Sequence, residues 1–207
     1  MDGVMYDFVK EFKAYCQKHL PFSEPLPDPT HWEFYEDWGI SRDTFYEMLT
    51  EATIKEQLFS RGSAYDNTFA GWNKLKTMGI HIHIMTHRHI EAVGQTAEWL
   101  NRHGFVPDSM HFGTNKTILE SIAIDQAAAI DDYIEYYDEY ESIGVKAFLR
   151  TQEWNMRHRG RRVPDLLAFA TAVETYNNYY EMEEYSCHGL VLPTSSYTST
   201  GGYRALR

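Results

Sequence analysis

The chain has little cysteine and lacks long apolar runs. Its two cysteines, Cys16 and Cys187, lie far apart in the 207-residue sequence. A disulfide framework is therefore not expected, and a reducing compartment fits. The apolar runs are too short to span a bilayer, and no basic-then-apolar signal segment opens the chain. We therefore expect a cytoplasmic protein with no membrane partner.

Positive charge is also scarce. The sequence has 19 Lys and Arg residues and 30 Asp and Glu residues, which gives a net charge of -11. This balance argues against general nucleic-acid binding, so an anionic substrate would need local cations or a metal ion. The exception is an arginine patch, which comprises Arg150, Arg157, Arg159, Arg161 and Arg162. A solvated, charge-balancing or phosphate-steering surface is the favoured interpretation of this patch, and contact with RNA or DNA is the weaker one.

Apolar patterning predicts strands that alternate with helices between residues 64 and 175. The predicted strands are 80–85, 110–112, 127–130 and 145–149, and helices are predicted over 88–103, 116–124 and about 134–143. Parallel neighbours need crossover connections, so this alternation predicts an α/β protein with a parallel sheet and helices on both faces.

The flanking segments differ in composition from this alternating region. Helical spacing predicts a helix over 6–19, after which four prolines break the chain. Residues 31–60 are aromatic and acidic and should hold two short helices, with Ser41 as an N-cap. Pro164 suits the first helical position of a last helix, and from about residue 186 a Ser/Thr/Gly-rich tail without period is expected to be flexible.

Polar residues end the predicted strands, where parallel sheets bind ligands. These residues are Asp2, Thr86 and the pair Asp131 and Asp132. Lys116 starts the predicted helix that lies, along the chain, between Thr86 and the aspartate pair. Transfer of a phosphoryl group needs a nucleophile, a cation and a proton donor. Carboxylates from two strand ends offer the oxygen ligands that Mg²⁺ prefers, and a hydroxyl and an ammonium group can hold the phosphate oxygens.

Four short motifs occur in order: Asp-Gly-Val at 2–4, Ile-Met-Thr at 84–86, Lys116 and Ile-Asp-Asp at 130–132. They resemble the motifs of the haloacid-dehalogenase-like (HAD) phosphatases, and more closely the cytosolic-type 5'-deoxyribonucleotidase branch with its phage and bacterial relatives. The resemblance implies a Rossmannoid core over 1–19 and 64–175, a small helical cap over 20–63 and an extension over 176–207. It also implies a Mg²⁺-dependent phosphomonoesterase that hydrolyses (deoxy)nucleoside 5'-monophosphates through an aspartyl-phosphate.

The same resemblance assigns roles to residues. Asp2 would act as general acid and then base, Thr86 and Lys116 would hold the phosphate, and Mg²⁺ would be held by Asp2, Asp131 and Asp132, with Asp132 the better ligand. Trp154 and Asn155 resemble an Arg-x-x-Trp-Asn stretch that follows the last strand. The expected substrate-binding residues are Trp32, Phe34, Tyr35, Trp38, His87 and Arg88.

One part of the family pattern has no counterpart. The nucleophilic aspartate would stand directly before Met1, and the apolar first strand would precede it. We therefore expect that the polypeptide starts upstream, and that the chain as written hydrolyses phosphomonoesters poorly. The alternative is a non-catalytic relative that binds a nucleotide or a partner. The base, the sugar and the oligomeric state are left open, with a homodimer among the open states.

Simpler interpretations accompany each assignment. Asp2 could be a turn residue, Thr86 or the aspartate pair could cap helices, and Lys116 could be a solvated side chain. The cap aromatics could form the core of the cap rather than a platform for a base. The histidines at 81, 83, 87 and 89 could bind zinc, although packed or surface histidines are favoured.

Overall fold

The computed structural model describes residues 1–113, 127–187 and 204–206, with side chains described over 1–113 and 127–177. Within these residues, six parallel strands form one sheet in the order β2-β1-β6-β3-β4-β5. The strands are β1 (His81–Thr86), β2 (Ser109–Phe112), β3 (Ala127–Asp131), β4 (Lys146–Arg150), β5 (Arg162–Val163) and β6 (Arg204–Leu206). The α/β prediction, a parallel sheet flanked by helices, is confirmed.

Helices connect the strands. They are α1 (Phe8–His19), α2 (Arg42–Glu56), α3 (Leu58–Arg61), α4 (Thr68–Thr77), α5 (Val93–Arg102), α6 (Ile134–Ser142) and α7 (Leu166–Cys187), with short 3-10 turns at Ile90–Ala92 and Glu153–Asn155. Helices α4 and α7 pack closely, because a Cβ at Gly71 would lie 2.4 Å from the backbone of Leu166. Of these helices, none is both long enough and apolar enough to cross a bilayer.

Buried side chains on β1 and on the helices around the sheet form the core. In β1 every residue after His81 is buried, as expected for a strand covered on both faces. Trp99 of α5 is fully buried, and its indole nitrogen donates to the carbonyl oxygen of Gly62 at 2.7 Å. On α1, Cys16 is also fully buried, and burial raises the pKa of its thiol to about 12.

The edge of the sheet near β2 is held by a carboxylate. Asp108 accepts from the backbone N–H of Ile82 at 2.7 Å and from Nζ of Lys76 at 2.9 Å, and it lies 3.1 Å from Nδ1 of His81. Burial alone would raise the pKa of Asp108, but these three partners outweigh it and hold the pKa below its usual range. The carboxylate therefore stabilises the start of β1 in its ionised form.

Helix ends depart from the sequence-based bounds because capping side chains decide them. Helix α1 begins at Phe8 rather than residue 6, since Asp7 accepts from the N–H of Lys10. The prediction of Pro164 at the first helical position is wrong. Asp165 caps α7 instead, because its carboxylate accepts from the N–H of Ala168 at 2.8 Å. Ser41 caps α2 as predicted.

The tail contains an element that the sequence did not indicate. The Ser/Thr/Gly-rich tail is expected to be flexible, and no strand is predicted in it; Arg204–Leu206 is described as β6, between β1 and β3 in the sheet. Lys116 and the helix predicted over 116–124 lie outside the described residues.

Candidate active site

A cavity of about 420 Å³ opens at the carboxyl edge of the sheet. Its lining combines residues from the first turn of the chain, from the ends of β1 and β3, and from the segment 32–49. Most of the predicted site residues meet here: Asp2, Trp32, Phe34, Tyr35, Thr86, His87, Arg88, Asp131 and Asp132. The cavity is therefore the candidate active site.

Asp2 lies in a tight turn at the start of the chain. The carbonyl oxygen of Met1 accepts from the N–H groups of Val4, Met5 and Tyr6 at 2.9–3.3 Å, and Gly3 N–H donates to the Tyr6 carbonyl at 3.1 Å. Because these bonds are local, the turn fixes the backbone on both sides of Asp2. Its carboxylate can then be directed into the cavity.

Arg88 holds the carboxylate of Asp2. Its Nε donates to both carboxylate oxygens at 3.1 and 3.0 Å, and its Nη2 donates to Oδ1 at 2.6 Å. The guanidinium is almost completely buried and lies over the rings of Tyr6 and Phe59, at 4.6 and 4.1 Å from their centroids. Its Nη1 donates to the hydroxyl of Thr96 at 2.9 Å, so the arginine is fixed from several sides.

Thr86 ends β1 beside this ion pair. Its hydroxyl lies 3.5 Å from Oδ2 of Asp2, at the limit of a hydrogen bond, and it accepts from the N–H of Arg88 at 3.4 Å. The side chain is buried, so its weak contacts leave a hydroxyl that can turn towards a ligand oxygen.

The aspartate pair lies at the end of β3 and is almost fully buried. Asp131 accepts from the N–H of Tyr133 at 3.0 Å, which shapes the turn into α6. The carboxylate of Asp132 packs directly against Gly3, because a Cβ at Gly3 would lie 1.9 Å from its Oδ2. Gly3 also has a φ of +68°, so glycine is required here by conformation and by space.

The loop after β4 fixes the position of Asp132. Trp154 Nε1 and Asn155 Nδ2 both donate to its carbonyl oxygen, at 3.1 and 3.0 Å. Asn155 is fully buried and also donates to the carbonyl of Arg150 at 2.8 Å. From the same loop, Gln152 donates to the carbonyl oxygen of Gly3 at 3.0 Å. The loop therefore ties together the turn of Asp2 and the end of β3.

Aromatic rings form one wall of the cavity. Trp32 stacks on Tyr133 with centroids 4.2 Å apart, and His87 stacks on Tyr136 at 4.7 Å. Trp32 keeps 44% of its surface exposed, so a flat ligand can reach this wall. Trp38 is different, because it lies in the core, donates to the carbonyl of Pro27 at 3.0 Å and does not line the cavity.

Sequence reasoning missed several lining residues, among them Glu33, Arg42, Tyr133 and Tyr136. The two tyrosines follow the aspartate pair at a spacing of three, which is a usable signal because it places both on one side of the first helical turn. Burial raises the pKa of Tyr133 to about 12, with Glu135 adding to the rise, so the phenol stays protonated near neutrality. Arg42 and Glu33 carried no sequence signal.

The chemistry of the carboxylates suits Mg²⁺, which takes oxygen ligands and needs few of them from the protein. Across the described residues, however, no three His, Cys, Asp or Glu side chains are already grouped to hold a metal ion. Asp2 is engaged by Arg88, so at most one or two carboxylates would bind the ion directly, with water or substrate completing its shell. This pattern is common for Mg²⁺ bound together with a phosphate.

The four histidines around β1 have separate partners. His81 hydrogen-bonds to Asp108, His83 to Ser109 and His89 to Glu91. The ring of His87 stacks on that of Tyr136. These side chains are engaged by different neighbours and do not converge on one point.

Comparison with known proteins gives one informative match. No family model matches the chain. A distant homologue from Chlorobaculum tepidum, named "Putative 5'(3')-deoxyribonucleotidase", is 32% identical over 126 residues, which cover 56% of this chain and 61% of the relative. The chain thus spans about three-fifths of the length of the curated relative that it matches.

Proposed function

We propose that this protein is a Mg²⁺-dependent phosphomonoesterase of the HAD-like type that acts on (deoxy)nucleoside 5'-monophosphates. One observation carries the proposal: Asp2 and the carboxylate of Asp132 lie on either side of Gly3, inside a cavity with an aromatic wall. A phosphate with its metal ion fits the carboxylate end, and a nucleobase fits against the rings. The named activity of the distant homologue supports the same substrate class.

In the proposed mechanism, Asp2 protonates the leaving sugar oxygen and later takes a proton from water. Arg88 keeps the carboxylate of Asp2 in one orientation through its three contacts. The Thr86 hydroxyl donates to a phosphate oxygen, and Lys116 is proposed to do the same. Mg²⁺, held by Asp132 with Asp131 or Asp2, would neutralise charge on the phosphate oxygens.

The aspartyl-phosphate step needs a further carboxylate. The described carboxylates that line the cavity are Asp2, Glu33, Asp131 and Asp132. In the family that the chain resembles, the nucleophilic aspartate stands two positions before the residue that matches Asp2, which is directly before Met1. We therefore propose that the 207 residues alone hydrolyse phosphomonoesters weakly, and that an aspartate placed at that position restores the reaction.

The second candidate is a protein that binds a nucleotide without hydrolysing it. The Asp2–Arg88 ion pair favours this candidate, because a guanidinium stabilises the ionised form of a carboxylate and so opposes its use as a proton donor. The cavity and its aromatic wall would serve both functions equally.

Phosphate release from the four common deoxynucleoside 5'-monophosphates, with Mg²⁺, separates these candidates. The assay compares the 207-residue chain with two extended chains, in which an apolar strand before Met1 ends in aspartate or, as the control, in asparagine. We expect a gain of several orders of magnitude with aspartate and none with asparagine. Full activity in the 207-residue chain that survives Asp2→Asn would contradict the mechanism. Binding without hydrolysis in all three chains would favour the second candidate.

A further inference from the structure

Two opposite charges line the cavity and have no role in the proposed mechanism. They are the carboxylate of Glu33 and the guanidinium of Arg42. Both residues are exposed, and among the described residues neither takes part in an ion pair. The hydroxyl of Tyr35 lies 3.5 Å from Oε1 of Glu33, at the limit of a hydrogen bond. Both charged groups can therefore turn to a ligand that enters the cavity.

One aromatic cluster fixes the backbone that carries both charges. Phe34 and Tyr35 directly follow Glu33 and are buried. Their ring centroids lie 6.0 and 4.8 Å from that of Phe45. Arg42 opens helix α2 three residues before Phe45, which lies on the same helix. The carboxylate and the guanidinium therefore come from two segments that pack on each other.

Glu33 lies beside the aromatic wall of the cavity. It directly follows Trp32, whose ring stacks on that of Tyr133. Burial and Glu135 raise the pKa of the Tyr133 phenol, and the carboxylate of Glu33 adds to this rise. The carboxylate is thus within electrostatic reach of the ring on which Trp32 stacks. A flat ligand held against this wall would have its edge near Glu33.

Arg42 lies within reach of the same group of side chains. Its guanidinium carbon is 5.8 Å from the ring centroid of Tyr46, which also lines the cavity. Burial raises the pKa of the Tyr35 phenol, Glu33 raises it further and Arg42 lowers it. Both charges therefore act on one phenol, and a single ligand can contact both.

A carboxylate and a guanidinium beside a stacking wall distinguish nucleobases by their hydrogen-bonding groups. A carboxylate can accept two parallel N–H bonds, and a guanidinium can donate two. Guanine offers both counterparts, because N1–H and the 2-amino group are adjacent donors, and O6 and N7 are adjacent acceptors. Adenine, cytosine and thymine each lack two adjacent donor groups. Among the common bases, guanine therefore fits this pair of charges best.

We propose that Glu33 and Arg42 determine the base specificity of the cavity, and that its preferred occupant is a guanine nucleotide. Glu33 accepts from N1–H and the 2-amino group, Arg42 donates to O6 and N7, and the base lies against Trp32. The inference rests on the proposed function, since it names the base of the nucleotide that the cavity is proposed to bind. The phosphate end of the cavity has no part in this selection.

Calorimetric titration of the 207-residue chain with Mg²⁺ tests the inference through binding alone. The ligands are the deoxynucleoside 5'-monophosphates of guanine, adenine, thymine and hypoxanthine, the last of which differs from guanine only in lacking the 2-amino group. Hydrogen bonds to charged groups each contribute about 10- to 100-fold in affinity. We expect the guanine nucleotide to bind at least about tenfold more tightly than each of the other three.

Substitution of Glu33 tests the donor edge of the base. Glu33→Gln should remove most of the difference in affinity between the guanine and hypoxanthine nucleotides, because the amide cannot accept both N–H bonds. Glu36→Gln is the matched control. It removes the same charge from the same exposed segment, but Glu36 does not line the cavity. This control should keep the preference for guanine unchanged.

Substitution of Arg42 tests the acceptor edge. Arg42→Met should weaken binding of the guanine and hypoxanthine nucleotides, which share O6 and N7, by about tenfold or more and change that of the adenine nucleotide little. Equal weakening of all four nucleotides would overturn the base contact and assign Arg42 to the phosphate.

The outcomes separate this inference from the proposed function. Equal affinities for the four nucleotides, or a guanine preference that survives Glu33→Gln, would overturn the inference and leave the proposed function intact. Absence of binding by all four nucleotides would overturn both.

Discussion

Gly3→Ala tests the packing of the Asp2 turn against Asp132. Gly3 has a φ of +68°, and an alanine in this left-handed region costs about 1–2 kcal/mol. In addition, the new Cβ would lie 1.9 Å from Oδ2 of Asp132, whereas ordinary contact begins at 3.4 Å. The carboxylate or the turn must therefore move by about 1.5 Å, and overpacking of this kind costs a further ~1–3 kcal/mol.

Gly39→Ala is the matched control, because Gly39 has nearly the same φ, +66°, with no other group within 4 Å of the added Cβ. Each kcal/mol lowers the melting temperature of a protein this size by about 2–4 °C. Gly3→Ala should thus melt about 2–12 °C below Gly39→Ala in differential scanning calorimetry. Displacement of Asp132 should also weaken Mg²⁺ binding by about 10-fold or more. Equal melting temperatures and equal Mg²⁺ affinities for the two variants would refute the reasoning.

Three further predictions concern residues outside this contact. The pKa of Asp108 is lower in the folded protein than in the unfolded chain, where an aspartate has a pKa near 4. The ionised carboxylate therefore stabilises the fold above about pH 4, and this stabilisation is lost as the pH falls further. Asp108→Asn should therefore be destabilised at pH 7 and lose less stability than the unchanged protein between pH 5 and pH 3, as measured by urea unfolding. Burial of Cys16 predicts that, in a Cys187→Ser background, a thiol reagent reacts only as fast as the protein unfolds, with reaction in urea as the control. Asn155→Ala should cost about 2–5 kcal/mol of unfolding free energy, because the fully buried amide bonds to the backbone of Gln152, Arg150 and Asp132 and all three bonds are lost, while Asn101→Ala on the exposed side of α5 should cost little.

The sheet was largely predictable from the sequence, and β6 was not. Strands β1, β3 and β4 are short apolar runs bounded by polar residues, and local patterning suffices to find them. Strand β6 is three residues long and follows a Ser/Thr/Gly-rich segment. Its place depends on pairing with strands more than 70 residues away in the chain, and such long-range pairing leaves no local signal.

The cavity was predictable in outline, because residues at the carboxyl ends of parallel strands meet at one edge. Asp2, Thr86, Asp131 and Asp132 line the same cavity for this reason. The contacts between them were not predictable. The ion pair of Asp2 with Arg88 joins residues 86 positions apart, and its geometry depends on rings that fix the guanidinium.

For the aromatic residues, too, the sequence predicts the cluster but not the environment of each ring. The sequence allows the stretch around Trp32 to be either a platform for a base or the core of the cap, and its tryptophans lie in two different environments. Trp32 stacks at the cavity wall, whereas Trp38 is buried with its indole nitrogen bonded to Pro27. The sequence could not separate them, since both are tryptophans in one aromatic run and only the tertiary packing distinguishes them.

Calorimetric titration with a deoxynucleoside 5'-monophosphate tests the central claim most directly, because it detects the site whether or not hydrolysis follows. We predict one bound nucleotide per chain in the presence of Mg²⁺, at least tenfold weaker binding without Mg²⁺, and much weaker binding of the nucleoside that lacks the phosphate. Asp132→Asn should lose the Mg²⁺ dependence, since nucleotide and metal ion are thermodynamically coupled at one site. Absence of nucleotide binding, or equal affinity with and without Mg²⁺ in both proteins, would contradict the account.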